Sequence, residues 1–360
     1  FKNLFLEVFF LMKKKIDIRQ LSLDNLTDEI VKLGEKPYRA QQIHDWLWKK
    51  RAINFDQMTN LSKSLRKLVE ENFIINALVL SEAQVSKDRT IKNAFLLADD
   101  AVIEGVLIPT KKRMTACVSV QVGCSLDCAF CATGRLKRIR NLNADEIYDQ
   151  VVMINDQSKK EYSLPISNIV YMGMGEPLLN YSNVLKSVER ITSENGLGMS
   201  PKRITISTAG IHKKIIRLAD DGVKFNLALS LHAANDEKRN KIMPINESNS
   251  LGALKDAMIY FSEKTGTRPT LEYIIFKDFN DEIIDAEELV QFVKSFPSKV
   301  NIIEYNSIDD GKYQQADPIK VDAFADYLES KNVIVNIRRS RGKDIDAACG
   351  QLANKNELAN

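Results

Sequence analysis

The sequence predicts an α/β protein in which a parallel β-sheet curves into a full or partial barrel. Strands and amphipathic helices alternate six times after residue 113, and serial strand–helix units favour a parallel sheet. At 360 residues, the chain is also long enough for one large domain and a smaller one. In such a barrel, we expect catalytic residues at the carboxyl ends of the strands.

The first part of the chain is predicted to be helical. Apolar residues at helical spacing indicate three helices, at residues 23–34, 39–50 and 61–73. Two alternating strands follow, at residues 90–97 and 102–108. We interpret the apolar opening as a non-native extension, with the natural start nearer Met12. Its basic residues follow the apolar run, which is the wrong order for a signal peptide.

The barrel elements are predicted from residue 113 onward. The strands are expected at residues 117–122, 168–172, 203–207, 225–230, 271–276 and 300–305. Helices between them include residues 144–155, 211–220 and 251–264, and a further pair comprises a helix at 321–330 and a strand at 333–338. We therefore divide the chain into an extension (1–15), a helical accessory domain (16–82), a short β extension (83–112), the barrel (113–345) and a C-terminal segment (346–360).

Composition is that of an ordinary soluble globular protein, with 44% hydrophobic and 28% charged residues. The net charge of +3 does not by itself indicate a nucleic-acid-binding protein. No stretch reaches the ~18 apolar residues that a membrane span requires. Three basic clusters are either phosphate-binding surfaces or solvated faces. They comprise Lys111, Lys112 and Arg113; Arg135, Lys137, Arg138 and Arg140; and Arg338, Arg339, Arg341 and Lys343.

Four of the five cysteines fall within fifteen residues, which favours metal binding in a reducing cytosol over a secreted disulfide framework. Cys124, Cys128 and Cys131 form a C-x3-C-x2-C motif just after the first barrel strand. Three nearby thiolates suit one soft metal centre, whereas a structural zinc site normally takes four ligands. Three ligands on a four-iron cluster leave one iron open to bind a substrate or cofactor.

This motif, with Phe130 before the last cysteine and after the first strand of an α/β barrel, resembles that of the radical S-adenosylmethionine (SAM) enzymes. The resemblance implies a radical-SAM partial (β/α)6 barrel with a [4Fe–4S] cluster. It also implies that the open iron binds the amino and carboxylate groups of S-adenosyl-L-methionine. Electron transfer from the cluster then cleaves this cofactor to a 5′-deoxyadenosyl radical.

Other strand ends resemble the same superfamily. In YMGMGEPLLN, glycines allow close approach of backbone to a ligand, and Glu176 offers a carboxylate acceptor. The resemblance implies that Gly175 and Glu176 hold the amino group of SAM. It implies further cofactor contacts from Ser207, Ser230, Leu231, His232 and Asn306. Without it, the two serines would be turn hydroxyls and His232 a satisfied core histidine.

The segments KPYRAQQIHDWLW, CVSVQVGCSLDCAFCAT, SLHAAND and RGKDIDAACGQLA are similar to those of dual-specificity radical-SAM RNA methyltransferases. The similarity runs from about residue 16 to residue 354. It implies methylation of C2 of adenine in 23S rRNA and tRNA by a cytoplasmic monomer, with an electron donor such as flavodoxin. It also implies that the helical N-terminal domain contacts RNA.

Two cysteines lie outside the motif. C2 of adenine is electron-poor and does not attack the methyl group of SAM, so a thiolate is a natural first acceptor. The resemblance assigns Cys349 as the methyl carrier and Cys117 as the resolving thiol, which forms a transient disulfide with Cys349. One SAM methylates Cys349 and a second yields the radical. Taken alone, Cys349 in DIDAACGQLAN indicates a small buried hydrophobe, and Cys117 a packed strand cysteine.

The resemblance also assigns Glu104 as the proton acceptor. It lies in an otherwise apolar strand, so we expect it to be partly buried, as suits a general base. The alternative is a solvent-facing strand glutamate.

Two positions depart from the pattern of the family, and two other functions stay open. Val120 stands where serine is common, and Ser307 follows Asn306 where proline is usual.

One alternative function is methylation of C8 of the same adenine, which confers antibiotic resistance. The other is a non-catalytic RNA-binding protein with a structural metal.

Overall fold

A computed structural model describes residues 15–309 and 311–354 of the chain. These residues form two compact units. One contains residues 15–77 and 193–198, and the other contains the remainder. The predicted extension at residues 1–15 lies, apart from Lys15, outside the described residues. Within the described ranges, no helix is both long and apolar enough to cross a membrane.

The first unit is built from three helices and one short strand pair. Its elements are β1 (Ile16–Asp17), α1 (Leu23–Lys32), α2 (Tyr38–Trp48), α3 (Lys63–Asn72) and β2 (Phe73–Ile74). Serine side chains cap two of the helices, because Ser22 and Ser62 each accept a backbone N–H from the first turn. Each helix buries an apolar stripe that forms the core of the unit. The predicted helices are all present.

The second unit contains the remaining elements. In chain order these are β3 (Val79–Val85), β4 (Ile91–Leu96), β5 (Val102–Pro109), β6 (Met114–Cys117), β7 (Gln121–Val122), β8 (Arg140–Asn141), α4 (Ala144–Tyr162), β9 (Asn168–Tyr171), α5 (Tyr181–Thr192), β10 (Ile204–Thr208), α6 (His212–Asp220), β11 (Asn226–Ser230), α7 (Asp236–Ile242), α8 (Leu251–Thr265), β12 (Thr270–Ile275), α9 (Ile283–Val293), β13 (Lys299–Glu304), α10 (Pro318–Ser330) and β14 (Val335–Arg338).

Ten of these strands form one mixed sheet, in the order β14-β13-β12-β11-β10-β9-β6-β5-β4-β3. From β6 to β14 all neighbours are parallel, with helices in the connections. β3, β4 and β5 extend the sheet in antiparallel fashion from the edge of β6. The predicted α/β fold is confirmed, including the strand after the sixth strand–helix unit, which is β14.

The structure corrects the first barrel strand. It was predicted at residues 117–122, but β6 ends at Cys117 and residues 121–122 belong to β7. Between them, Val118 and Val120 keep backbone hydrogen bonds to Val170 and Met174, but Ser119 does not pair in this way. Its N–H donates to Gln150 Oε1 at 2.9 Å, and its Oγ donates to the Glu104 carbonyl at 2.5 Å. Cys117 therefore lies at the carboxyl end of the strand, where catalytic residues are expected.

Alternation along the strands separates an apolar core from a polar interior of the barrel. In β13, Val300 and Ile302 are buried in the core, while Asn301 and Ile303 line the interior cavity. In β12, Glu272 faces the same interior, and in β14 Arg338 does so. Because successive side chains of a strand point to opposite faces, these polar residues share one enclosed space.

Candidate active site

The loop between β7 and β8 carries the three cysteines of the C-x3-C-x2-C motif. Gly123 begins the loop at φ +73°, and a Cβ there would collide with the backbone of the same loop. The Cys131 N–H donates to the Cys128 carbonyl at 3.1 Å, and the Cys124 N–H donates to the Leu136 carbonyl at 3.2 Å. The backbone thus holds the three cysteines on one closed loop.

The three thiols are in a low-dielectric environment. Burial raises the pKa of Cys124 to about 11 and raises the pKa values of Cys128 and Cys131 as well. For Cys128, the neighbouring thiols Cys131 and Cys124 add to the rise. Such thiols lose their protons readily only to a bound metal centre.

The donor set fits a four-iron cluster. In the part of the chain that the structure describes, no three His, Cys, Asp or Glu side chains converge on a point suited to one metal ion. A [4Fe–4S] cluster does not require that convergence, because each thiolate binds its own iron. Cys124, Cys128 and Cys131 also line one cavity of about 160 Å³ at the carboxyl ends of the strands.

The end of β9 forms one wall of this cavity. Gly175 has φ +95°, and a Cβ there would lie 2.5 Å from Gln121 Cβ, so only glycine fits. Glu176 is buried, and its Oε2 accepts the Ala209 N–H at 2.7 Å while Oε1 accepts the Leu178 N–H at 2.9 Å. Burial raises the pKa of Glu176 despite these bonds.

The ends of β10 and β11 form the adjoining wall. Ser207 and Ser230 line the cavity, with their Oγ atoms 3.3 Å apart. Leu231 is completely buried in the core and does not line this cavity. Asn306 does not line it either, since its Nδ2 donates to the Cys349 carbonyl at 3.1 Å. The structure brings most, but not all, of the predicted cofactor contacts together.

His232 faces the same cavity as a neutral imidazole. Its ring lies 4.7 Å from the Phe130 ring in an edge-on arrangement, and its Nδ1 accepts the Ile274 N–H at 3.1 Å. Burial, with help from the charge of Arg239, lowers the pKa of His232 to about 3. Because Nδ1 is an acceptor, the proton of the neutral ring is on Nε2.

Cys349 lies at the boundary between two cavities. It lines the cavity of the cysteine loop and also the interior cavity of the barrel, which has a volume of about 690 Å³. Its exposed surface therefore faces these cavities. Backbone contacts hold its segment against the cysteine loop: the Ala132 N–H donates to the Gly350 carbonyl at 2.7 Å, and Thr133 Oγ1 donates to the Leu352 carbonyl at 2.5 Å.

Cys117 lines the interior cavity from the end of β6. Burial, with a smaller contribution from the charge of Cys349, raises the pKa of its thiol to about 12. The two cysteines outside the motif, separated by more than 200 residues in sequence, therefore meet in one cavity.

Glu104 was predicted to be partly buried, but it is completely buried on β5 and lines neither cavity. Its Oε1 lies 3.4 Å from Lys92 Nζ. Its Oε2 accepts the backbone N–H groups of Ala353 and Asn354, at 2.8 and 3.1 Å. The carboxylate therefore anchors the segment that follows Cys349.

Glu104→Gln is expected to lower the free energy of unfolding by about 3 kcal/mol, because Lys92 would stay buried without its anion. Urea unfolding of the purified protein measures this loss. Glu161→Gln is the matched control: Glu161 forms an exposed ion pair with Lys160, so its loss should cost at most about 1 kcal/mol. Equal stability of both variants would mean that the buried pair contributes nothing.

Sequence reasoning missed a polar network in the interior of the barrel. Arg338 Nη1 lies 3.1 Å from Glu272 Oε2, and Asn301 Nδ2 donates to Glu272 Oε1 at 2.8 Å. Arg338 lines both cavities and interacts electrostatically with Cys349 and Cys117. The available signal was a single charged residue within each of two short strands, Glu272 in TLEYII and Arg338 in VNIR.

Most of the C-terminal basic cluster is paired with acidic residues. Arg339 and Lys343 both contact Glu304, at 2.5 and 3.0 Å. Arg341 lies 3.6 Å from Asp88. In the cluster after Cys131, Arg140 pairs with Asp99 and Glu146, whereas Lys137 and Arg138 are exposed.

Two family models match the chain. The model of the Radical SAM superfamily matches residues 118–292, and that of the ribosomal RNA large subunit methyltransferase N-terminal domain matches residues 16–75. The crystal structure of a radical SAM methyltransferase from Sphaerobacter thermophilus has the same fold, with a TM-score of 0.88 and 36% identity, covering 94% of this chain and 99% of that chain. The fold and the cysteine loop are those of a radical SAM enzyme.

Similar proteins identify the family within the radical SAM superfamily. Probable dual-specificity RNA methyltransferases RlmN from Cytophaga hutchinsonii and Christiangramia forsetii are each 57% identical over 342 residues, which is 95% of this chain and 94% and 97% of theirs. The chain belongs to the dual-specificity RNA methyltransferase family. The predicted family is confirmed, as is a SAM-dependent methyltransferase that uses a [4Fe–4S] cluster and S-adenosyl-L-methionine.

Proposed function

We propose that Cys349 carries the methyl group that this enzyme adds to C2 of adenine in 23S rRNA and tRNA. The relatives that match nearly the full chain are named as dual-specificity RNA methyltransferases. The observation that carries the proposal is the position of Cys349, which borders both the cavity of the cysteine loop and the interior cavity with Cys117. A methyl carrier must contact first the methyl donor, SAM, and then the methyl acceptor, the adenine of the RNA. A position that borders both cavities allows the two contacts.

In this proposal Cys124, Cys128 and Cys131 hold the cluster, and the strand ends hold SAM. When bound, the cluster and SAM supply the one-electron chemistry that removes hydrogen from an otherwise unreactive methyl group. Gly175 leaves room for the cofactor, and Glu176 offers its carboxylate to the amino group. Ser207, Ser230 and the Nε2–H of His232 line the same space. Leu231 and Asn306 do not line this space and act on its walls instead: the Leu231 N–H donates to the Glu272 carbonyl at 3.0 Å, and the Asn306 side chain holds the Cys349 carbonyl.

Cys349 is the nucleophile that takes the methyl group of a first SAM. Burial raises the pKa of its thiol, and the charge of Arg338 acts in the opposite direction. Arg338 therefore favours the thiolate, which is the nucleophilic form. Glu272 and Asn301 hold this arginine in place. A second SAM, bound at the same strand ends, would supply the chemistry that activates the methyl group on the sulfur of Cys349.

Cys117 is the resolving thiol. After carbon–carbon bond formation at C2, RNA is linked to the sulfur of Cys349. Attack by the Cys117 sulfur on that sulfur forms the transient Cys117–Cys349 disulfide. The electron pair of the broken C–S bond passes to the product methyl carbon, which takes the proton of the Cys117 thiol. An external reductant restores both thiols. The shared interior cavity supports this pairing.

Glu104 is the proposed acceptor of the C2 proton. Its Oε1 has no hydrogen-bond partner, while its Oε2 is occupied by Ala353 and Asn354. To reach an adenine bound in the cavity, the Glu104 carboxylate must release the N–H groups of Ala353 and Asn354. The segment after Cys349 must therefore shift. A general base has to lie within hydrogen-bond distance of its proton during the reaction.

RNA binding and partners complete the proposal. Lys137 and Arg138 are exposed on the cysteine loop, where they can contact phosphates beside the site. The target adenine must leave its stack to reach the cavity. The helical N-terminal unit is proposed to bind RNA. The enzyme is proposed to be a monomer located in the cytoplasm. An electron donor such as flavodoxin would supply the electrons that the cluster held by Cys124, Cys128 and Cys131 needs.

Mass spectrometry of RNA nucleosides tests the function. RNA from cells that lack the gene should contain no 2-methyladenosine at the target adenines, and complementation should restore it. The anaerobically purified protein should be brown, contain iron and sulfide, and cleave SAM under reduction. 8-Methyladenosine in place of 2-methyladenosine would assign the rival C8 activity, and a colourless zinc protein would contradict the proposal.

A further inference from the structure

Arg239 is a fully buried cation close to the cysteine loop. It lies on α7 with no exposed surface, and all of its hydrogen bonds go to neutral acceptors. These acceptors are the Leu231 carbonyl at 3.0 Å, Asn246 Oδ1 at 2.6 Å, the Ala209 carbonyl at 2.6 Å and the Ser230 carbonyl at 3.2 Å. Burial lowers the pKa of Arg239 to about 10, so it remains a cation at neutral pH.

No carboxylate among residues 15–309 and 311–354 forms an ion pair with Arg239. Asp236 acts on it from a distance, but Asp236 is exposed, and its Oδ1 accepts from Asn246 Nδ2 and the Leu251 N–H. A buried charge without a counter-charge is costly, so proteins rarely retain one without a bound anion. The described protein residues therefore provide no ion-pair partner that neutralises the positive charge of Arg239.

The cysteine loop lies directly beside it. α7 ends at Ile242, whose carbonyl accepts the Ala129 N–H of the cysteine loop at 3.0 Å. Arg239 is one turn earlier on the same helix. Cys128 and Arg239 interact electrostatically, and the charge of Arg239 favours the Cys128 thiolate. The guanidinium also lies directly behind the wall of the cavity that the three cysteines line, because it binds the carbonyls of Ala209 and Ser230, which both line that cavity.

A [4Fe–4S] cluster on three thiolates is an anion. Its oxidised core carries two positive charges and the thiolates carry three negative ones, so each electron added makes the site more negative. A fixed cation nearby stabilises the reduced state more than the oxidised state.

We infer that Arg239 is the counter-charge of the cluster and raises its reduction potential. The inference rests on the proposed assignment of Cys124, Cys128 and Cys131 as cluster ligands. Arg239 is a positioning residue, since its side chain lines neither cavity. Through Ala209 and Ser230 it also fixes the strand ends that form the SAM cavity, and the Ala209 N–H in turn holds Glu176. The positive charge of Arg239 and its hydrogen bonds to the strand ends can be tested separately. A lysine at this position keeps the charge but loses most of the hydrogen bonds.

Redox titration of the cluster, followed by electron paramagnetic resonance, tests the charge. The holoenzyme is purified anaerobically and titrated without SAM or RNA. Arg239→Gln should shift the midpoint potential to more negative values, while Arg239→Lys should stay near the wild-type potential. The matched control is Lys241→Met, which removes an exposed cation from the same helix and should leave the potential unchanged.

A wild-type potential in Arg239→Gln would overturn the inference, as would an equal shift in Arg239→Gln and Arg239→Lys. If Arg239→Gln binds no cluster, then Arg239→Lys decides: a lysine variant with cluster and wild-type potential supports the counter-charge, and loss of the cluster in both variants contradicts it. Absence of a cluster signal in the wild-type protein would instead refute the proposed function.

Discussion

Cys349→Ala is expected to reduce RNA methylation by roughly 10³-fold or more, because it removes the only proposed methyl acceptor of the protein. Cluster content and reductive cleavage of SAM should persist. The contacts that hold this segment come from backbone atoms, since Asn306 and Ala132 bind the carbonyls of Cys349 and Gly350. Removing a side chain that faces a cavity leaves them intact. Methyl transfer from labelled SAM to RNA measures the loss.

Cys349→Ser is the conservative companion variant. It keeps the size of the side chain, but a hydroxyl is a far weaker nucleophile than a thiolate, so it should also be inactive. Intact-protein mass spectrometry should show one added methyl group on the wild-type protein and none on either variant. Retained methylation in Cys349→Ala would make this residue an ordinary small hydrophobe.

Cys117→Ala is expected to trap the enzyme covalently on RNA. Without the resolving thiol, nothing attacks the sulfur of Cys349 after its carbon has joined C2 of adenine. Turnover should fall by at least about 10²-fold, while up to one RNA accumulates per protein. A denaturing gel with labelled RNA, followed by mass spectrometry of the nuclease-treated adduct, measures both.

The double variant Cys117→Ala with Cys349→Ala is the control for this trap. It lacks the carrier, so no adduct should form, which separates a true intermediate from non-specific crosslinking. An adduct in the double variant would place the link on another residue. Normal turnover in the single variant would mean that another thiol, from the protein or from solution, resolves the intermediate.

The regular parts of the fold were predictable because their pattern is local. Strands such as β12 and β13 are apolar runs with turn residues at both ends, and amphipathic helices separate them. β3 was missed because most of its residues are exposed or half-buried and show no apolar face. α4 was predicted too short because its last two turns, residues 156–162, are mostly polar and have no periodic apolar signal.

The cysteine loop was predictable from spacing alone, but the pairing of distant residues was not. Glu104 and Ala353 are far apart in sequence, and no periodicity indicates that a carboxylate on β5 anchors the segment after Cys349. The pair of Glu272 and Arg338 depends in the same way on the order of the strands, which places β12 and β14 on either side of β13. Such contacts follow from tertiary structure, whereas the resemblance to a family identified Cys117 and Cys349 without it.

The ion pairs of the C-terminal basic cluster bear on how RNA affinity responds to salt. A cation already neutralised by a protein carboxylate displaces few counterions when RNA binds. Arg339 and Lys343 both form ion pairs with Glu304, and Arg338 forms an ion pair with Glu272. The slope of log affinity against log salt concentration should therefore be shallower than the number of basic residues in the sequence suggests. We therefore expect the C-terminal basic cluster to contribute little to the salt dependence of RNA binding.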